Sequence, residues 1–219
     1  MIVPTDSFHN PPLPCSFYDR DVIAVARDLL GCRLIRLTRE GICSGRIVEV
    51  EAYLAEHDSA CHAARGRTRK NRSMFGLPGR AYVYPIHSRY CFNVVTQAKG
   101  VPSAVLVRAL EPLVGFSLMQ QRRCREKPLE WVRGPGRLCQ AFQIDRRQDG
   151  WNLTTGRRLW ITRGRLAKDE SADGQPAKIV AAARVGVTSA EDLPLRFFLA
   201  GNRFVSLPRG STGRARGLG

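Results

Sequence analysis

The 219-residue sequence predicts a single α+β domain built on a mainly antiparallel β-sheet with surrounding helices. Strand-like runs of β-branched and aromatic residues mix with helical patterns but do not alternate with them as regular βαβ units. Short polar turns join successive strand patterns, as they do in antiparallel hairpins. No linker rich in serine, glycine or proline divides the middle of the chain, so one domain is favoured over two.

The domain is predicted to begin with a helix and a β-hairpin. Residues 1–16 are rich in proline and predict an N-terminal arm outside the core. Apolar residues then recur at helical spacing, with Asp19 able to cap the start of the helix and Gly31 able to end it. Two alternating runs, residues 32–37 and 42–52, are joined by the polar turn TREG and predict the hairpin.

The middle of the chain predicts a basic loop followed by a second pair of strands. Residues 64–80 are dense in arginine and have no apolar period, which indicates a loop. The runs AYVYPIHSRYCFNVV and SAVLVRALEP are typical of strands that pair through a turn near residues 99–100. Because proline has no backbone donor, Pro85 predicts a bulge or an edge position in the first run.

The rest of the chain predicts two helices, several short strands and a tail. Pro112 suits the first turn of a helix that reaches about Arg123, and Pro135 suits the start of the next helix. Short strands are predicted at residues 160–162, 180–187, 196–199 and 204–206. The domain would then span residues 17–207, and residues 208–219 are expected to be a disordered basic tail.

The composition points to a nucleic-acid partner. The formal net charge is +16, and a surface of that kind attracts polyanions by neutralising phosphates and releasing counterions. A generally basic, ribosome-associated protein is the alternative. The seven cysteines include no CxxC pair, which argues against a zinc ribbon or a disulfide framework and indicates reduced thiols. We find no signal peptide or membrane-spanning run, so a soluble cytoplasmic protein is expected.

The strand over residues 42–52 runs into a polar segment that brings carboxylates to its end, IVEVEAYLAEHDSACH. Side chains alternate along a strand, so Glu49, Glu51 and Tyr53 share one face while Val48 and Val50 face the core. The two carboxylates would lie about 7 Å apart, a separation typical of inverting sugar hydrolases. Acids on one strand face point the same way, however, whereas a glycosidic bond is attacked and protonated from opposite sides. Solvated or arginine-paired acids are the alternative.

Aromatic residues near this strand end predict a slot for a planar ring. Tyr53 follows Glu51 by two residues, His62 lies nine residues further on, and Tyr82 and Tyr84 occur in the later AYVY run. Each of them has a structural explanation when taken alone. Beside a carboxylate and a surface that binds polyanions, they are the ingredients of a site that stacks an extruded base.

Several ungapped blocks then carry a resemblance to a known family. They are FYDRDVIAVARDLLGCRLIR, GRIVEVEAYL, AYVY, VLVRALEPL, GPGRLCQA, AARVGV and PLRFFLAGNRFVS. In these blocks and in their order, the sequence resembles the alkyladenine (3-methyladenine or methylpurine) DNA glycosylase family. The resemblance implies a curved sheet, a protruding β-hairpin and a monomer that acts on double-stranded DNA containing damaged purines. It implies no cofactor and no metal, and a bacterial member would be nucleoid-associated.

The resemblance also implies a reaction. A monofunctional glycosylase would flip an alkylated or deaminated purine from duplex DNA and leave an uncut abasic site; the expected bases are 3-methyladenine, 7-methylguanine, ethenoadenine and hypoxanthine. Glu51 would deprotonate and orient a water, assisted by Arg108 and the backbone carbonyl of Val185. An arginine beside a carboxylate keeps that carboxylate ionised, as a base must be. No lysine in the matched blocks is placed as a Schiff-base nucleophile.

Contacts with the base and the wedge follow from the same resemblance, whereas contacts with phosphates are expected from the density of arginine, with a solvated basic face as the alternative. Tyr53, His62 and Tyr84 correspond to base-sandwiching residues, and Asn93 to the residue that excludes purines with a 2-amino group. The family usually inserts a hairpin tyrosine into the duplex; here His87 is the best aligned wedge and Ile86 the second. The expected phosphate contacts are arginines of the basic loop and of the later blocks: Arg69, Arg72, Arg133, Arg137 and Arg184.

Two other classes of protein are alternatives to this enzyme. A catalytically silent nucleic-acid-binding relative would keep the fold and the positive surface, but the presence of both Glu51 and Arg108 argues against silence. A basic RNA-binding protein would not need a buried carboxylate beside an aromatic slot.

Overall fold

The computed structural model describes residues 10–164 and 177–206. Its centre is an eight-stranded sheet in which every pair of neighbouring strands is antiparallel. The strands are β1 (Arg33–Thr38), β2 (Gly41–Tyr53), β3 (Ala81–Ile86), β4 (Arg89–Thr96), β5 (Ser103–Val114), β6 (Leu159–Thr162), β7 (Ile179–Ala182) and β8 (Arg196–Leu199). Together with the helices, this sheet confirms the predicted single α+β domain with a curved antiparallel core.

The long strand β2 organises the sheet. The main path runs β3-β4-β5-β2-β1-β6, and β8, which also pairs with β7, joins β2 on the side away from β5. The first half of β2 pairs with β1, whereas the later residues Glu49, Val50 and Glu51 pair with β8. Register shifts around Ile47, Glu49 and Val50 bend the strand at this branch. The branch lies at the carboxylates singled out from the sequence.

The helices are short, and two of them were predicted from their end signals. They are α1 (Cys15–Tyr18), α2 (Val22–Leu29), α3 (Phe116–Arg123), α4 (Leu129–Val132) and α5 (Pro135–Ala141). The helix predicted after residue 19 is α2, but its cap is Asp21, whose side chain accepts from the N–H of Ala24. Pro135 does begin α5, as predicted. None of the helices in the described ranges is long and apolar enough to cross a membrane.

The prediction that Pro112 begins a helix was wrong. Pro112 lies in β5 beside a register shift opposite Gly45, where the missing N–H is tolerated. The helix α3 begins only after Gly115, which has a φ of 85°. A Cβ on Gly115 would lie 2.4 Å from the carbonyl oxygen of Ile42. This close approach and the left-handed φ require glycine at the junction between strand and helix.

Other strand predictions were partly confirmed. The run over residues 81–95 is a hairpin of two strands, β3 and β4, and β4 pairs with β5 as expected. Pro85 lies in β3 at the edge of the sheet path, which agrees with its predicted position. Residues 204–206 form no strand. The basic loop contains one 3-10 turn, Arg72–Phe75.

The core lies between the sheet and the helices, with α2 packed on β2 and α5 packed on β4. The described part of the predicted N-terminal arm is not separate from it. Leu13 is 1% exposed, and Pro12 forms a bridge with Thr162 of β6. All seven cysteines are unpaired. The predicted basic tail, residues 208–219, lies outside the described residues.

Candidate active site

The two carboxylates of β2 are fully buried and paired with arginines, so of the alternative stated from the sequence the solvated form does not hold and the arginine-paired form does. Glu49 and Glu51 both have 0% exposure, as does Val50 on the other face of the strand. Both faces are covered because β2 is a central strand and because arginine side chains lie over its polar face. A buried carboxylate is stable only when cations and hydrogen-bond donors surround it.

Three donors hold the Glu51 carboxylate. Its Oε1 accepts the backbone N–H of Val185 at 2.7 Å. Its Oε2 accepts the Tyr53 hydroxyl at 3.0 Å and lies 3.1 Å from Nη1 of Arg108. Burial together with the Glu51 charge raises the pKa of Tyr53, which therefore remains a protonated donor.

Arg108 joins the two carboxylates of β2. Its Nε donates to Oε1 of Glu49 at 3.1 Å, while its Nη1 faces Glu51. Burial alone would lower the pKa of Arg108, but Glu51 and Glu49 outweigh it and raise the pKa above its ordinary value. The Arg108 guanidinium is thus a permanent cation between two anions.

The backbone of Val185 contacts both partners of this pair. Its N–H donates to Glu51, and its carbonyl oxygen lies 3.5 Å from Nη1 of Arg108, which donates to it. The sequence had suggested only the carbonyl as a functional group. The N–H contact comes from a residue 134 positions away along the chain, so no local pattern could reveal it.

A cavity of about 420 Å³ lies beside the Glu51 cluster. It brings together Tyr53, His62, Tyr84 and Asn93, the four residues expected to bind a base. Its other walls include Met74, Tyr82 and the segment 186–189 that follows Val185. Glu51 itself does not line the cavity; it is connected to it through the Tyr53 hydroxyl and through the chain at Val185.

The aromatic rings form two different walls of the cavity. The rings of His62 and Tyr84 meet edge to face, with centroids 4.4 Å apart, so no third ring fits between them. They form one wall together. Tyr53 supplies a separate ring, and the guanidinium of Arg184 lies over it at 4.7 Å from the centroid.

Tyr82, which the sequence offered with Tyr84 as an ingredient of the aromatic slot but gave no contact of its own, lies in the cavity wall. Its hydroxyl lies 2.9 Å from Nδ1 of His62, and its carbonyl oxygen accepts the side-chain amide of Asn93 at 3.0 Å. Tyr82 and Asn93 are partners across β3 and β4. The tyrosine therefore orients two of the residues expected to bind a base. Burial lowers the pKa of His62 below its ordinary value and favours the neutral ring.

The hairpin of β3 and β4 carries the two candidate wedge residues. Ile86 is 45% exposed and lines the cavity, and His87 is exposed in the turn between the strands with a φ of 51°. A positive φ is uncommon outside glycine but is less unusual for histidine. Ile86 thus lines the cavity, and His87 is the neighbouring exposed residue in the turn.

The arginines expected to contact phosphates fall into two groups. Arg69, Arg72 and Arg137 are exposed, and Arg133 is half-buried with its Nε donating to the carbonyl of Val205 at 2.7 Å. The prediction for Arg184 was wrong. Its side chain is 0% exposed and forms two 2.7 Å hydrogen bonds with Asp58, so it cannot reach a phosphate.

Possible metal ligands are not clustered. Across residues 10–164 and 177–206, no group of three or more His, Cys, Asp or Glu side chains is arranged to hold a metal ion.

Comparison with known proteins agrees with this arrangement. The methylpurine-DNA glycosylase (MPG) family matches residues 16–203. A relative from Methanoculleus marisnigri is 50% identical over 195 residues, which cover 89% of this chain and 98% of the relative. A relative from Carboxydothermus hydrogenoformans is 45% identical with the same coverage of both chains. Both bear the name "Putative 3-methyladenine DNA glycosylase". Because the family match spans nearly the whole described domain, this chain belongs to the methylpurine-DNA glycosylase family of DNA-repair enzymes.

Proposed function

We propose that this protein excises alkylated or deaminated purines from duplex DNA by hydrolysing the N-glycosidic bond with a water activated by Glu51. The expected bases are 3-methyladenine, 7-methylguanine, ethenoadenine and hypoxanthine, and the product is an uncut abasic site. One observation carries the proposal: the Glu51 carboxylate, held by three donors, lies beside an aromatic cavity of the size that small ligands occupy.

Glu51 has the capacity to bind a water. A carboxylate offers about four acceptor positions, and the protein donors occupy three of them, two on Oε2 and one on Oε1. A water could use the remaining position on Oε1. Glu51 would take a proton from this water as it attacks C1′, and the Glu51 carboxylate itself would stabilise the oxocarbenium-like sugar. The Val185 carbonyl is the second acceptor we assign to the water.

The cavity suits a cationic purine. A positively charged base over an aromatic face gains about 0.5–2 kcal/mol, and such a base leaves the sugar with little protonation. His62 supports this preference because its lowered pKa keeps the ring neutral, so it does not repel the base. Asn93 is 2% exposed, and its side-chain amide is fixed by a hydrogen bond to the Tyr82 carbonyl. A side chain held in this way cannot move aside, so it can exclude a purine that carries a 2-amino group.

Base flipping requires a side chain that fills the gap left in the duplex and protein contacts with the phosphate backbone of the DNA. Extruding a base costs a few kcal/mol and is least costly at damaged sites. We assign the wedge to His87, with Ile86 at the cavity rim, and the backbone contacts to Arg69, Arg72, Arg133 and Arg137. A monomer acting in the cytoplasm or at the nucleoid is sufficient for single-site damage recognition.

An excision assay tests the proposal. Purified protein is incubated with duplex oligonucleotides carrying hypoxanthine or ethenoadenine and with methylated DNA, and abasic sites are then cleaved with alkali. We expect strand breaks from the wild type and none above background from Glu51→Gln. No breaks on any of these substrates, from a protein that still binds duplex DNA, would favour the catalytically silent relative instead.

A further inference from the structure

The second buried carboxylate of β2, Glu49, is not used by the proposed reaction. Its Oε1 accepts Nε of Arg108 at 3.1 Å, Nε of Arg196 at 2.7 Å and the hydroxyl of Ser206 at 2.7 Å. Its Oε2 accepts the backbone N–H of Ser206 at 2.7 Å. Three of these four donors lie on Oε1 and one on Oε2, so both oxygens of the carboxylate are held in place. Glu49 is therefore a buried carboxylate fixed on both oxygens.

Arg108 transmits the position of Glu49 to Glu51. The guanidinium is a rigid planar group, so fixing its Nε also fixes the direction in which Nη1 points. In this structure Nε faces Glu49 and Nη1 faces Glu51, both at 3.1 Å. We propose that Glu49 is a positioning residue that, with Arg196 and Ser206, orients Arg108 and thereby the Glu51 carboxylate. This inference rests on the function proposed for Glu51.

The charges of this cluster balance. Glu49 and Glu51 are matched by Arg108 and Arg196, and all four side chains are at least nine-tenths buried. Removing the charge of Glu49 leaves an excess positive charge near Glu51 and favours its ionised form. The other groups facing Glu51 are Tyr53 on β2, Cys91 on β4 and the Arg184 guanidinium.

Ser206 contacts the cluster at both Glu49 and Arg196. Besides its two contacts with Glu49, Ser206 accepts Nη2 of Arg196 on its carbonyl oxygen at 2.7 Å. The preceding residues are held by Arg133 at Val205 and by Glu111 at Asn202. The segment 202–206 thus supplies two of the four donors that fix Glu49, although it lies outside the cavity.

The test compares Glu49→Gln with the control Glu40→Gln. Glu40 also pairs with an arginine, Arg122, but its side chain is 49% exposed and lies outside the cluster. For Glu49→Gln we expect the single-turnover excision rate of hypoxanthine to fall at least about tenfold, since small displacements of catalytic groups cost up to about 100-fold. Duplex affinity should stay unchanged. The acidic limb of the pH–rate profile should move to lower pH, because the variant lacks the negative charge beside Glu51 and Arg108.

Two outcomes would overturn the inference. One is a rate and a pH profile for Glu49→Gln that match those of Glu40→Gln. The other is a rate loss that equals the unfolded fraction measured by circular dichroism at the assay temperature, with no change in the pH profile. Either outcome would reduce Glu49 to a structural role.

If the wild-type protein shows no excision activity, the proposed function is refuted. The positioning role of Glu49 is then tested separately by urea unfolding. The urea midpoints of Glu49→Gln, Glu51→Gln and the double variant are measured. Because Arg108 links the two carboxylates, we expect the midpoint shift of the double variant to differ from the sum of the two single shifts. In an Arg108→Met background the shifts should add. Additive shifts in the wild-type background would overturn the inference.

Discussion

The buried pair of Arg184 and Asp58 allows a stability prediction worked from its geometry. Both side chains are 0% exposed, and two 2.7 Å hydrogen bonds join them. In Arg184→Met, Asp58 keeps only the N–H groups of Leu54 and Ala60 as partners. Breaking a buried pair by removing one partner costs about 3–5 kcal/mol. With a urea m-value of about 2–3 kcal/mol/M for a domain of this size, the midpoint should fall by about 1–2.5 M.

Urea unfolding followed by circular dichroism measures this shift. The control is Arg147→Met, which breaks the exposed pair between Arg147 and Asp145 and should leave the midpoint unchanged. The double variant Asp58→Asn/Arg184→Met should recover part of the loss, because it removes the unpaired charge. The Asn amide oxygen keeps an acceptor for one of the two N–H groups, which donate to different oxygens of Asp58, while the other loses its partner. An Arg184→Met midpoint within error of the wild type would refute the reasoning.

The remaining predictions concern pH, the strand–helix junction and the wedge. Burial alone would raise the pKa of Asp58, but the hydrogen bonds from Arg184 and the backbone hold it below its ordinary value. The ionised Asp58 carboxylate therefore stabilises the fold above about pH 4, and this stabilisation is lost as the pH falls through the pKa of Asp58 in the folded state. Asp58→Asn should lose less stability on acidification than the wild type does. His62 has a lowered pKa, so protonation favours unfolding between the folded pKa and about pH 6.5. The fall in melting temperature from pH 7 to pH 5 should be smaller in His62→Gln, and an equal fall would exclude His62 as its source. Gly115→Ala should destabilise the domain by more than about 2 kcal/mol in urea unfolding, because the added Cβ would clash with the backbone of Ile42 and the φ is 85°. Gly100→Ala is the control for backbone strain alone, because its φ is 97° but its Cβ would meet nothing within 4 Å. His87→Ala should weaken binding and excision on duplex DNA more than excision from single strands, and equal losses would show that His87 is not the wedge.

The sequence was most informative where structure depends on neighbours along the chain. The helix α2, the hairpin of β1 and β2 and the start of α5 all follow from spacing and end signals within a few residues. The misses concern contacts between distant parts of the chain. Pro112 looks like a helix start until β5 is seen to pair with β2. Arg184 looks like a surface cation until Asp58, 126 residues earlier, is found beside it.

The same distinction holds at the site. Glu51, Tyr53 and His62 occur close together in the sequence, so a pattern could suggest them. The partners of Glu49 lie 59, 147 and 157 residues away, at Arg108, Arg196 and Ser206. No periodicity encodes such contacts. The alternation of side chains along β2 predicts only that Glu49 lies on the same face of the strand as Glu51. Its burial and its four donors follow from the tertiary fold alone.

The most direct test of the account is the single-turnover excision rate of Glu51→Gln on duplex DNA containing hypoxanthine, measured at saturating enzyme. Removing a general base costs about 10²–10⁴-fold, so the account predicts a rate at least 100-fold below that of the wild type. Duplex affinity and melting temperature are measured on the same preparation. They should show a folded protein that still binds DNA. A folded variant that excises hypoxanthine at a rate within tenfold of the wild type would contradict the assignment of Glu51 as the base.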